Sequence, residues 1–170
     1  MSSVLESELL KRAKEPQFVA WHAFFIAQPQ EIPELVSFAL SSKKHPVPAY
    51  SCWLLVHIAK AKPALLLPFL NPITEGLLLT QNHSVQRSLL SILLELPLNK
   101  PLEGELLNKC FDIFADPEKE VANRVYALYH LKRFLRDYPE IDQEVKAIIE
   151  MIEAQPIKPA LKVGIRNYLK

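Results

Sequence analysis

The chain has 170 residues, 49% apolar and 23% charged, with 20 basic residues against 19 acidic ones. That is enough chain for a genuine core, and the composition is that of a globular protein, not a disordered one. A net charge of +1 argues against a nucleic-acid binder held by a strong overall field and leaves room for a local patch.

In chain order, everything periodic has the helical period. Ser2 to Lys14 reads as a short amphipathic helix carrying Val4, Leu5, Leu9 and Leu10. Pro16 then opens a second helix through Phe18, Trp21, Phe24 and Phe25, and Pro29 ends it. "EIPELVSFAL" is a third, with Leu35, Phe38 and Ala39 inward. "VPAYSCWLLVHIAKAK" is apolar on nearly all sides, as helices covered on both flanks are. A proline-broken segment follows from Pro63 to Thr80. "HSVQRSLLSILLEL" is the next helix, and Leu102 to Ala115 another.

"DPEKEVANRVYALYHLKRFLRDYP", Asp116 to Pro139, is the most orderly stretch. Asp116 is expected to cap it and Pro117 to stand at its first helical position, where a missing N–H costs nothing. Val121, Val125, Leu128, Leu131 and Leu135 form its apolar stripe; Lys119, Asn123, His130, Arg133 and Asp137 form the opposite, polar one. The last two helices run from about Glu140 to Ala154 and from Pro156 to Leu169. No window alternates as a strand would.

Three glycines and fourteen prolines suit a chain that keeps starting and stopping helices. With only Gly76, Gly104 and Gly164, the glycine-dependent phosphate loops, dinucleotide fingerprints and nucleophile elbows are excluded. Cys52 and Cys110 lie in apolar helical patterns without a Cys or His at metal spacing, so both read as buried reduced thiols in a cytoplasmic protein. The N-terminus lacks the apolar centre of a signal peptide. The most apolar run, "PALLLPFLNPITEGLLLT", is cut by Pro68, Asn71, Pro72 and Glu75, whereas a membrane span needs about 20 mostly apolar residues.

Four segments repeat one another: "HPVPAYSCWLLVHIA", "NHSVQRSLLSILLEL", "DPEKEVANRVYALYHL" and "QPIKPALKVGIRNYL". Each is a polar or proline-containing turn followed by an apolar helix, and each follows an earlier helix. Their starts near Pro46, Ser84, Pro117 and Pro156 lie 33 to 39 residues apart, close to the period of helix-pair repeats. One pair cannot bury its apolar face alone, so several must stack.

Asp116 to Leu128 resembles the second helix of a HEAT repeat, with Val121, Arg124, Ala127 and Leu128 at the matching places. Val85 and Arg87 approximate the pattern, Lys162 replaces the arginine in the last repeat, and the first repeat has none. The whole chain also resembles a small group of HEAT-like proteins, some of which carry the label adenylosuccinate lyase. The "G-S-S-x-M-P" signature of those lyases is absent. The resemblance implies an all-α, right-handed α-α superhelix of the HEAT/armadillo type, about five helix pairs in a single domain over residues 1–170. It also implies a binding scaffold and supplies no functional residues or cofactors.

Among candidate sites, the histidines His22, His45, His57, His83 and His130 show no metal-ligand spacing. The acids Glu140, Asp142, Glu144, Glu150 and Glu153 read as solvated helix faces. The basic residues carry more. Lys158, Lys162, Arg166 and Lys170 recur every four residues on one face; Lys132, Arg133 and Arg136 end one second helix; Arg87 and Arg124 begin theirs. The first helices hold most of the acids, including Glu103 and Glu105. If second helices line the concave side, a basic hollow faces an acidic back.

The expected function is therefore non-catalytic binding of a protein or acidic peptide through a groove contacted by Arg87, Arg124, Arg133, Lys162 and Arg166. Arg124 also has a structural reading, as a bond to a repeat turn. Tyr126, Tyr129 and Trp53 are core or groove aromatics. The alternative is a DNA-binding protein of the HEAT-like alkylpurine glycosylase type, for which Asp137, between Arg136 and Tyr138, is the nearest match to a catalytic aspartate. A third reading docks the protein by its edge, through Trp21, Phe24 and Phe25.

Overall fold

A computed structural model describes residues 4–15 and 18–170. Ser2, and Pro16 as the opener of the second helix, lie outside the described residues. Among those described there are ten α-helices and no strand. The chain divides into two compact units, Met1–Asn99 and Lys100–Lys170.

In the first unit, α1 (Val4–Arg12) and α2 (His22–Ala27) precede two helix pairs. These are α3 (Ile32–Ala39) with α4 (Val47–Ala61), and α5 (Leu70–Leu79) with α6 (His83–Leu94). α4 is the centre: α1, α2, α3 and α6 all pack on it. That explains its all-round apolar sequence. Cys52, Leu54, Leu55, Ile58 and Ala59 have no exposed surface, so neighbours cover more than one face. Pro63–Phe69 forms a 3-10 turn that leads into α5, so the proline-broken segment holds a first helix after all. Pro72 is tolerated because it sits in the first turn of α5, where its N–H would have no intrahelical acceptor.

Gly76 sets the closeness of α5 in this unit. A Cβ there would lie 2.5 Å from Leu40 Cδ2, so any other residue requires that terminal methyl to rotate aside. α6 begins on Asn82, whose side chain accepts hydrogen bonds from the Ser84 and Val85 N–H groups at 3.0 and 3.1 Å.

The second unit holds α7 (Glu103–Ala115) with α8 (Val121–Phe134), and α9 (Ile141–Glu153) with α10 (Pro159–Leu169). α10 packs along α8. The start of α8 differs from the sequence reading: it begins at Val121, not Pro117. Asp116 closes the end of α7 instead, and its Oδ1 accepts the Glu118 N–H at 2.8 Å in a local turn. That bond competes with capping, which is why the helix starts later. α10 likewise begins at Pro159 rather than Pro156, with Pro159 in the first helical turn.

The polar stripe of α8 is corrected as well. Asn123 and His130 have no exposed surface, alongside Ala127, Leu128, Leu131 and Phe134. A helix covered on several sides buries polar residues that a single-stripe reading sends to solvent. The second helices α4, α6, α8 and α10 start 36, 38 and 38 residues apart, a tighter period than the turns alone suggest.

Candidate functional site

The five basic residues picked out by the sequence fall in different surroundings. Lys162 and Arg166 are exposed on α10 and line one hollow of about 540 Å³, with Lys170, Val163 and Leu169. Their spacing of four residues on one helix brings the charges together. Val163 and Leu169 keep 43% and 54% of their surface exposed, so the floor of this hollow is apolar and open. Glu153, at the end of α9, lines the same hollow, so one acid stands among the cations.

Arg124 is 8% exposed. Its Nε–H donates to the Phe114 carbonyl at 3.0 Å, tying α8 to the last turn of α7. The acceptor is one of the carbonyls that a helix end leaves without an intrahelical partner. Burial lowers the arginine's pKa, and the Asp116 charge partly offsets that. Arg124 also lines a second hollow of about 410 Å³, between the α7–α8 and α9–α10 turns.

Arg133 is half-buried near Cys110, whose thiol burial pushes up in pKa while the Arg133 charge draws it down. Arg87 is exposed on α6, in the first unit. Among neighbouring cations, Lys132 donates to the Asn167 carbonyl near the end of α10 at 2.6 Å, where the helix dipole favours a positive charge.

The acids are less uniformly turned outward than the sequence suggests. Glu103 is 5% exposed and accepts from Lys100 Nζ at 2.9 Å. The same ammonium reaches Asp137 at 3.1 Å, and this bond leads the causes that hold the Asp137 carboxyl below the usual carboxylate value. Asp137 is thus engaged at the end of α8 by Lys100 and Arg136. Asp142 pairs with Lys146 at 2.6 Å and accepts from Tyr168 Oη at 2.9 Å, which links α9 to α10.

Spatial neighbours that the sequence does not reveal lie in the first unit. His22 and His57, far apart in the chain, bring their rings to 5.6 Å. Burial first, then the charges of His22 and Lys60, lower the His57 pKa. Trp53 stands 6.0 Å from His57 and is 43% exposed. Of the proposed edge aromatics, Phe25 is fully buried, Phe24 is 43% exposed, and Trp21 lies under the Arg12 guanidinium at 5.0 Å. Tyr126 and Tyr129 are half-buried and meet edge-on at 6.4 Å.

Cys52 and Cys110 are free thiols without exposed surface, and burial pushes the Cys52 pKa up to about 12. No cluster of three or more His, Cys, Asp or Glu among the described residues could hold a metal ion. No helix among the described residues is long and apolar enough to cross a membrane.

The helix pairs, their period and the Val121–Arg124–Ala127–Leu128 pattern agree with a comparison to known families. No curated protein and no solved structure gives a significant match to this chain. A model of the HEAT repeat domain matches residues 6–170, nearly the whole length, and the chain belongs to the HEAT repeat family.

Proposed function

We propose that residues 1–170 act as one non-catalytic helical-repeat scaffold, and that its α10 surface binds an acidic, partly apolar segment of a partner protein. The observation that carries this reading is the α10 hollow. Three cations, Lys162, Arg166 and Lys170, stand around exposed Val163 and Leu169. Cations around an apolar floor suit a segment that alternates carboxylates with aliphatic side chains, because the charges steer and orient while the apolar contact holds. Two free, buried thiols fit a reducing, cytoplasmic setting.

The test is fluorescence anisotropy with a labelled peptide of alternating Glu and Leu, at low and moderate salt. The wild type binds, and K162E/R166E binds about tenfold more weakly with unchanged melting temperature, since both side chains are exposed. Equal binding by wild type and double variant removes α10 as the site. A labelled DNA duplex is run in parallel. Binding to DNA with a steep salt dependence, and none to the peptide, supports the nucleic-acid alternative instead.

A further inference from the structure

We infer that the hollow between the α7–α8 and α9–α10 turns is a receptor for a carboxylate carried on a short aliphatic stem, with the Nη groups of Arg124 as its anchor. Arginine has five N–H donors in a fixed fork. In Arg124 the Nε–H is engaged with the Phe114 carbonyl, which fixes the plane of the group. The Nη nitrogens donate to no described residue, although the side chain is more than nine-tenths buried. Asp116 contributes charge but takes no hydrogen bond from it; its Oδ1 is held by the Glu118 N–H.

The Nη groups are not among the fully enclosed side-chain atoms that lack a partner, so they are open at the hollow rather than sealed in protein. The side of Arg124 that remains accessible lines the 410 Å³ hollow, so a partner for the Nη pair comes through it.

The walls say which partner. Lys119 and Lys158 stand on the rim and add two positive charges. Ile148, Met151 and Ile152 of α9 supply an apolar side. Met151 is 75% exposed, an unusual setting for a flexible apolar side chain and one suited to closing over a ligand stem. A carboxylate matches the guanidinium fork in two parallel hydrogen bonds, and an aliphatic stem matches the α9 wall. The volume suits one acidic residue with an apolar neighbour, which a partner protein's segment provides. This site does not depend on the α10 hollow.

The experiment uses the full chain and NMR observation of the Arg124 Nε–H together with the amides of α9. The probes are N-acetyl-Leu-Glu-Leu-amide, its Gln counterpart, hexanoate and hexylammonium. The Glu peptide is expected to shift the Arg124 Nε signal and the amides near Ile148 and Ile152; the Gln peptide and hexylammonium are not. Hexanoate binding more tightly than the Glu peptide would assign the site to a free carboxylic acid rather than to a partner protein's side chain.

M151E adds a negative charge at an exposed position, so the fold is retained, and it should weaken the Glu peptide about fivefold. R124Q should abolish the response. K162E/R166E should leave it unchanged, so this site and the α10 surface fail separately. Equal shifts from the Glu and Gln peptides, a silent Arg124 Nε–H, or an M151E variant that binds as well as wild type would each overturn the inference.

Discussion

In residues 1–99, α6 starts on a neutral cap, the Asn82 carboxamide oxygen held by two backbone N–H groups. In residues 100–170, α8 starts without a side-chain cap, and a buried guanidinium reaches back to the end of α7. The two units share the helix-pair plan and join its parts by different chemistry. The first relies on aromatic packing around α2 and α4, with Phe18 meeting Tyr50 and Trp53 at 5.4 and 5.5 Å. The second places charge at its seams: Arg124 on Phe114, Lys132 on Asn167, Tyr168 on Asp142. The lesson is that the repeat fixes the apolar interior, while the polar closure of each turn is free to vary.

The largest expected effect breaks the contrast at the turns. R124M keeps most of the volume of the side chain but leaves the Phe114 carbonyl without its donor, which should cost about 1–3 kcal/mol in urea denaturation. N82A removes the neutral cap and should cost about 1 kcal/mol in the same measurement. If N82A proved the more damaging of the two, the charged turn would not be the stronger tie.

The helical glycines of the two units face different neighbours. Alanine in place of glycine inside a helix gains up to about 1 kcal/mol from backbone entropy alone. At Gly76 the new Cβ meets a terminal methyl of Leu40, which can rotate aside. At Gly164 it meets both methyls of Val125 on α8, at 3.0 and 3.2 Å. Valine is stiff about χ1, so the α8–α10 contact must open. G164A should therefore be destabilising, by about 1 kcal/mol after the entropy gain, and G76A should be neutral or stabilising. Thermal melts of the two variants decide this, and equal shifts would show that both sites relax alike.

The smallest effect separates the units by pH. The His57 pKa is lowered from 6.5, first by burial and then by His22 and Lys60. The unfolded chain therefore takes up this proton before the folded one as pH falls. The stability from neutral His57 is complete above 6.5 and is lost below it, toward the folded value. The Asp137 pKa is lowered from 3.8, chiefly by the Lys100 hydrogen bond, so its contribution holds above 3.8 and declines only in stronger acid. H57N should flatten the fall in melting temperature between about pH 7.5 and 5.5, whereas K100A should lower the melting temperature by a small constant amount above about pH 4, a deficit that fades in stronger acid. A K100A deficit that grew rather than faded below about pH 4 would contradict the assignment.

Much of the fold is legible in the sequence because helix-pair repeats write their apolar period directly into the chain. The four second helices fall where their turns and stripes place them. The boundaries at Val121 and Pro159 are not legible, since Asp116 offers both a cap and a local turn and only the packed turn selects one. Nor are the fates of individual basic residues. Arg87, Arg124, Arg133, Lys162 and Arg166 look alike along the chain, yet one is buried against a carbonyl and two share an open hollow.

The sequence by itself determined the class of fold and the number of second helices, because burial of a repeated apolar face needs only local spacing. The tertiary structure alone decided which charged groups are enclosed, which acids meet which cations, and that His22 and His57 are neighbours. Those outcomes depend on distances between helices that are remote in the chain, and no local pattern encodes such distances.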